Sequence, residues 1–174
     1  MTTTVDLSAD LNNWIRSAGL DTIQGSRTDD GRTIIWNKGG EVRYFVSFVD
    51  GYYVMTSSNR MGPESFHICT LTLVMLEKYL YGRFGNSIRK QKGLGGVRKP
   101  SSIDELQQGY MLGKEFFSDR ERDALLDESG TVLAIGQVDR LVELSHYVDI
   151  PPSVIKDSIS EPQGKPLFSQ IEER

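Results

Sequence analysis

Glu41-Val42-Arg43-Tyr44-Phe45-Val46-Ser47-Phe48-Val49, then Asp50-Gly51, then Tyr52-Tyr53-Val54-Met55-Thr56-Ser57: this stretch decides the fold. Two runs rich in aromatic and β-branched residues flank an Asp-Gly pair, the strongest short signal for a tight hairpin. The first run alternates, with Val42, Tyr44, Val46 and Phe48 on one face and Arg43, Phe45, Ser47 and Val49 on the other. The second face is mixed, which leads us to expect helices over part of it. Upstream, Arg32 to Asn37 follows the turn Asp29-Asp30-Gly31, and Lys38-Gly39-Gly40 reverses the chain. The whole region reads as an antiparallel meander.

Helices flank it. Ser8 can cap a helix whose apolar positions are Leu7, Leu11, Trp14, Ile15 and Ala18, with Gly19 as the stop. A second helix is predicted over His67 to Phe84, although Phe66 to Val74 is β-branched enough to read as strand and leaves the helix start open. Tyr110 to Phe117 and Thr131 to Gln137 read as two further strands, joined by the charged run from Asp119 to Gly130. Alternating sign in Asp119-Arg120-Glu121-Arg122-Asp123 suggests a solvated loop or helix start. Val138 to Tyr147 and the segment opened by Pro151-Pro152 read as short helices. The sum is an α+β fold, antiparallel strands with a few packed helices, in a single domain over residues 1–168, with a frayed tail at 169–174.

Charge is unevenly placed. The run from Arg83 to Pro100 holds six cations and no acid, in a chain of net charge -4; without it the remainder would carry -10. Its centre, Gly93-Leu94-Gly95-Gly96, has little side chain to pack and reads as a projecting loop that can approach another surface closely. Lys90, Lys92, Arg98 and Lys99 would steer it toward an anionic partner. These eight residues are the candidate partner-binding set.

Candidates for chemistry are few. A sequence pI near 5.2 argues against a general nucleic-acid binder, and no aromatic interleaves the cations from Ile88 to Pro100. Cys69, the single cysteine, excludes an intramolecular disulfide and reads as a buried thiol. His67 and His146 lie far apart with no ligand spacing, so no metal site is expected. Ser145 and His146 are helix neighbours pointing about 100° apart, unsuited to a nucleophile–base pair. The glycine run has arginine at the third glycine position of GxGxxG and no GK[ST]. We expect no catalytic residue and no cofactor. No apolar run is long enough to cross a bilayer, and the N-terminus lacks the pattern of a signal peptide, so a cytoplasmic protein is expected.

Several stretches in order resemble one family. Tyr44-Phe45-Val46-Ser47-Phe48 with Asp50-Gly51-Tyr52-Tyr53-Val54, Leu76 to Gly85, Ser87-Ile88-Arg89, Leu144-Ser145-His146-Tyr147-Val148, and Glu161 to Phe168 look like the mycobacterial immunity factors of tuberculosis necrotizing toxin, among polymorphic-toxin immunity proteins. The similarity spans roughly residues 7 to 168. It implies an antitoxin that binds a secreted NAD-glycohydrolase domain 1:1 in the producing cell's cytoplasm and occludes its NAD site. It fixes no inhibitory residue. Either the basic loop inserts into the toxin, or the acidic run from Asp119 to Glu128 faces a basic NAD site. A secretion chaperone or adaptor would use the same surfaces.

Overall fold

The computed structural model describes residues 3–171. One antiparallel sheet of eight strands runs β1 (Leu20–Ile23), β2 (Thr33–Asn37), β3 (Val42–Val49), β4 (Tyr52–Asn59) and β5 (Ser65–Thr70), then β9 (Val132–Gly136), β8 (Arg120–Leu126) and β7 (Met111–Phe117). The meander is present in the expected register, Val49 facing Tyr52 across the Asp50-Gly51 turn. The helices are α1 (Ala9–Ser17), α2 (Leu73–Arg83), α3 (Gly85–Gln91), α4 (Val138–Ser145) and α5 (Pro152–Ser160). A separate two-stranded ladder pairs β6 (Val97–Arg98) with β10 (Ser169–Gln170). The fold is α+β.

Helix α1 forms as its sequence dictates. The Ser8 hydroxyl accepts from the Leu11 amide at 3.2 Å, and Gly19 takes φ +87° beyond the last turn. Its apolar stripe buries Leu11 and Ile15 completely, each stabilising the fold by about 1.5–3 kcal/mol. Trp14 docks on α2, its Nε1 donating to the Tyr81 carbonyl at 3.0 Å.

Val46, Met55 and Ile68 lie opposite one another across three strands and join the helices in the main core, with Ala134 and Leu125 further along. The other sheet face is built differently. Val54, Cys69, Ala124, Ile135 and Phe117 form a second cluster there, roofed by Tyr52 and Phe66 and containing no helix residue. The expectation that helices cover part of this face fails; packed aromatic rings seal it instead, Phe117 lying 5.5 Å from Tyr52 and 5.7 Å from Phe66.

Three further expectations are corrected, and one strand appears where none was expected. The helix predicted from His67 begins only at Leu73, where the Thr72 hydroxyl caps it, because Ser65–Thr70 is claimed as a strand by β4 and β9. A register shift in the β4–β5 pair leaves His67 unmatched on β4, and its Nε2 meets the Tyr79 hydroxyl at 2.7 Å. The charged run after Asp119 is strand β8, not a loop or helix start: Ala124 and Leu125 are fully buried and outweigh the flanking charges. β1 was not anticipated, its four residues being too short for a visible period. Ser169–Gln170, expected to fray, pair with Arg98 and Val97; residues 172–174 lie outside the described part.

Candidate partner-binding site

The basic segment is not a free projecting loop. Its first half is α3, and its cations divide into an outer and an inner set. Arg89 is 1% exposed, and its guanidinium donates to four carbonyls: Gly95 at 2.6 Å, Ile159 at 2.8 Å, Glu161 at 2.7 Å and Pro162 at 2.8 Å. Three of these belong to the C-terminal end of α5 or the residues just after it, where carbonyls lack helical partners and a cation is favoured. Asn86 brackets Val97 from both sides, donating to its carbonyl at 3.2 Å and accepting from its amide at 2.8 Å. Val97 is buried. The glycine run is therefore a short arch held at both feet.

Arg98 is paired with Glu105 through two hydrogen bonds of 3.0 and 2.7 Å, and that guanidinium holds the Glu105 carboxyl down at about 2. Lys99 folds inward, its Nζ 3.7 Å from Glu143. That distance is an ion pair without a direct hydrogen bond. Burial pushes Lys99 down and Glu143 up, each toward its neutral form, while each charge opposes the other's shift. Glu143 also accepts from the Tyr147 hydroxyl at 2.7 Å. Gly82 makes this approach possible, since a Cβ there would lie 2.5 Å from the Tyr147 oxygen. Of the eight candidates, Lys90, Lys92, Gly93 and Gly95 face solvent, Leu94 and Gly96 are half-buried, Arg98 is exposed but charge-paired, and Lys99 supports the arch from beneath. A Cβ at Gly93 or Gly95 would meet nothing within 4 Å, so the outer surface of the arch is open.

The acidic alternative is not one patch. Asp119 sits in the β7–β8 turn, while Asp127 and Glu128 sit in the turn at the other end of β8, roughly 20 Å away along the strand. Asp127 is occupied as a turn cap, accepting from the Ser129 and Thr131 amides at 2.9 and 3.0 Å.

Among the described residues, the nucleophile and base candidates of the sequence are held in buried or structural roles. Burial pushes the Cys69 thiol up to about 12 and the His67 imidazole down to about 3. Ser145 Oγ donates to the Val142 carbonyl and accepts from the Gln107 amide, and His146 Nε2 lies 2.6 Å from the Glu105 carbonyl. Both residues fasten the 101–107 segment onto α4. Among the described residues no cluster of three or more His, Cys, Asp or Glu could hold a metal, and no helix is long and apolar enough to cross a membrane. The buried role of Arg89 was missed from sequence; its only signal there is an arginine about one helical turn before a glycine run.

Comparison with known proteins gives one consistent answer. The family model described as Immunity protein 61 matches residues 14–167. Over 169 residues the chain is 53% identical to the Immunity factor for TNT of Mycobacterium tuberculosis and to its homolog in Mycobacterium bovis, covering 97% of this chain and 96% of each relative. The solved structure of Rv3902c from M. tuberculosis superposes with a TM-score of 0.94 at 52% identity, covering 98% of both chains.

Proposed function

The chain belongs to the Immunity protein 61 family, and on that premise we propose that it is an antitoxin which binds the catalytic domain of a tuberculosis-necrotizing-type toxin 1:1 and keeps NAD out of its site. The observation carrying this reading is the 53% identity, nearly end to end, with an immunity factor for TNT. An inhibitor of this kind needs a stable shape and a complementary surface, and no reacting group. The sealed Cys69, the neutral buried His67 and the structural uses of Ser145 and His146 agree with that requirement. The protein would act in the cytoplasm of the cell that makes the toxin, without enzymatic activity of its own.

The arch is our proposed point of contact. Lys90 and Lys92 offer outward charge, and Gly93 to Gly96 offer backbone that a facing surface can approach without side-chain obstruction. Arg98 and Lys99 belong to the same site as supports. A tight complex would bury about 1,600 Å² in total, so the arch would be one part of a larger footprint. The test is to mix the purified protein with the toxin's catalytic domain and measure the mass of the product in solution. A single 1:1 species supports the proposal; two unassociated proteins at micromolar concentration would refute it.

A further inference from the structure

Strand β9 ends at Gly136, and the chain leaves the sheet for α4. β5 pairs with β9 only from Ile68 to Thr70, and β8 pairs with it only from Ala124 to Leu126. The backbone of Ser65–His67 and that of Arg120–Asp123 therefore face each other across a gap one strand wide, roughly 10 Å. A cavity of about 210 Å³ fills this gap.

Three guanidinium groups line it: Arg120 and Arg122 from β8, and Arg140 from the first turn of α4. Arg140 Nη1 donates to the His67 carbonyl at 2.8 Å, standing in for the strand that is missing there. Arg122 lies 4.1 Å over the Phe66 ring, with its Nε on the Phe117 carbonyl at 2.9 Å. Among the described residues none of the three has a carboxylate within 4.0 Å, whereas Arg32 and Arg98 are each paired at 2.7 Å. The two acids on the rim, Glu121 and Asp123, alternate with Arg120 and Arg122 along β8 and so lie on the helix side of the sheet with Leu125 and Arg140, while Arg120 and Arg122 approach the gap from the aromatic side. Asp123 is taken by Lys114 Nζ at 2.6 Å.

We propose that this gap in the sheet binds one small oxyanion, a phosphate or carboxylate group, through Arg120, Arg122 and Arg140. Guanidinium forks match such anions in shape and charge. Two of the cations crowd each other: burial, and then Arg120, push Arg122 below its usual value, a strain that a bound anion relieves. The cavity is smaller than the roughly 300–1,000 Å³ of sites for whole small molecules, which limits it to a single group. That group is either a free ion or the acidic side chain of a bound protein.

Inorganic phosphate titrated into the nitrogen-labelled protein, at ionic strength held constant with sodium chloride, tests the site by amide NMR. We expect saturable shifts confined to residues 65–67, 120–123 and 136–140, with affinity roughly tenfold weaker in Arg120→Gln and in Arg140→Gln. Arg120 is exposed, so its variant leaves the fold intact if removal of the Arg140 hydrogen bond does not. Shifts that stay linear and match those of chloride, or affinity unchanged in Arg120→Gln, would overturn the proposal. A second arm identifies the source and alone rests on the proposed function. Saturating phosphate that weakens the toxin complex of the wild type but not of Arg120→Gln points to a partner carboxylate; a complex indifferent to phosphate, with the shifts retained, points to the free ion.

Discussion

The segment from Arg83 to Pro100 and strand β8 both concentrate charge, and they use it in opposite ways. The first turns charge inward. Arg89 gathers four carbonyls, Lys99 lies over Glu143, and only Lys90 and Lys92 of the candidate lysines remain at the surface. The second keeps its charged residues at the start of the strand and its apolar ones, Ala124 and Leu125, deep in the sheet. A run of cations can thus be a scaffold, and an alternating run of both signs can be a core strand. What separates them is where the apolar neighbours anchor the chain.

Breaking the inward use of charge should have the largest effect. Arg89→Ala removes four charge-assisted hydrogen bonds at once and leaves partly buried carbonyls unpaired, so we predict a loss of about 3–4 kcal/mol in urea unfolding. Arg89→Lys should recover only part of this, because an ammonium cannot span the same four acceptors. A loss below about 1 kcal/mol for the alanine variant would mean that the arch does not depend on its clamp.

Breaking the strand should cost slightly less. Leu125→Ala empties a fully buried position in β8 and should destabilise by about 3 kcal/mol, as a core residue does and a solvated linker does not. Unchanged stability would return this segment to the surface.

Stability should also depend on pH through His67. His67 is held neutral in the folded protein, its value lowered to about 3 from 6.5 by burial and then by Arg140 and Arg83. The unfolded chain binds this proton first as pH falls, so the contribution is complete above about 6.5 and is lost progressively toward 3. Thermal unfolding between pH 7 and pH 4 should therefore decline less steeply in His67→Gln than in the wild type. Parallel declines would rule out His67 as a source of acid sensitivity.

Smallest in stability are the outer lysines. Lys90→Ala with Lys92→Ala should shift unfolding by no more than about 0.5 kcal/mol, while slowing association with the toxin several-fold at low salt and less at high salt. An association rate unaffected at low salt would move the contact away from the arch.

Much of the fold was legible in the chain. The hairpin around Asp50-Gly51, the Ser8 cap and the Pro151-Pro152 helix start are local signals, and each appears where its residues place it. Ser65–Thr70 and Arg120–Leu126 were not, because their strand character comes from neighbours distant in sequence. β9 reaches β5 from more than sixty residues away. The same holds for the site. Cations and glycines announced the segment, but Arg89's partners beyond the arch lie at Ile159, Glu161 and Pro162, outside any local window.

We propose that this protein silences a toxin by covering it. The most direct measurement is the rate of NAD cleavage by the toxin's catalytic domain as this protein is added. The account predicts a linear fall to zero at one equivalent, with no NAD consumed by this protein alone. Full toxin activity in the presence of excess protein, or NAD turnover without toxin, would contradict it.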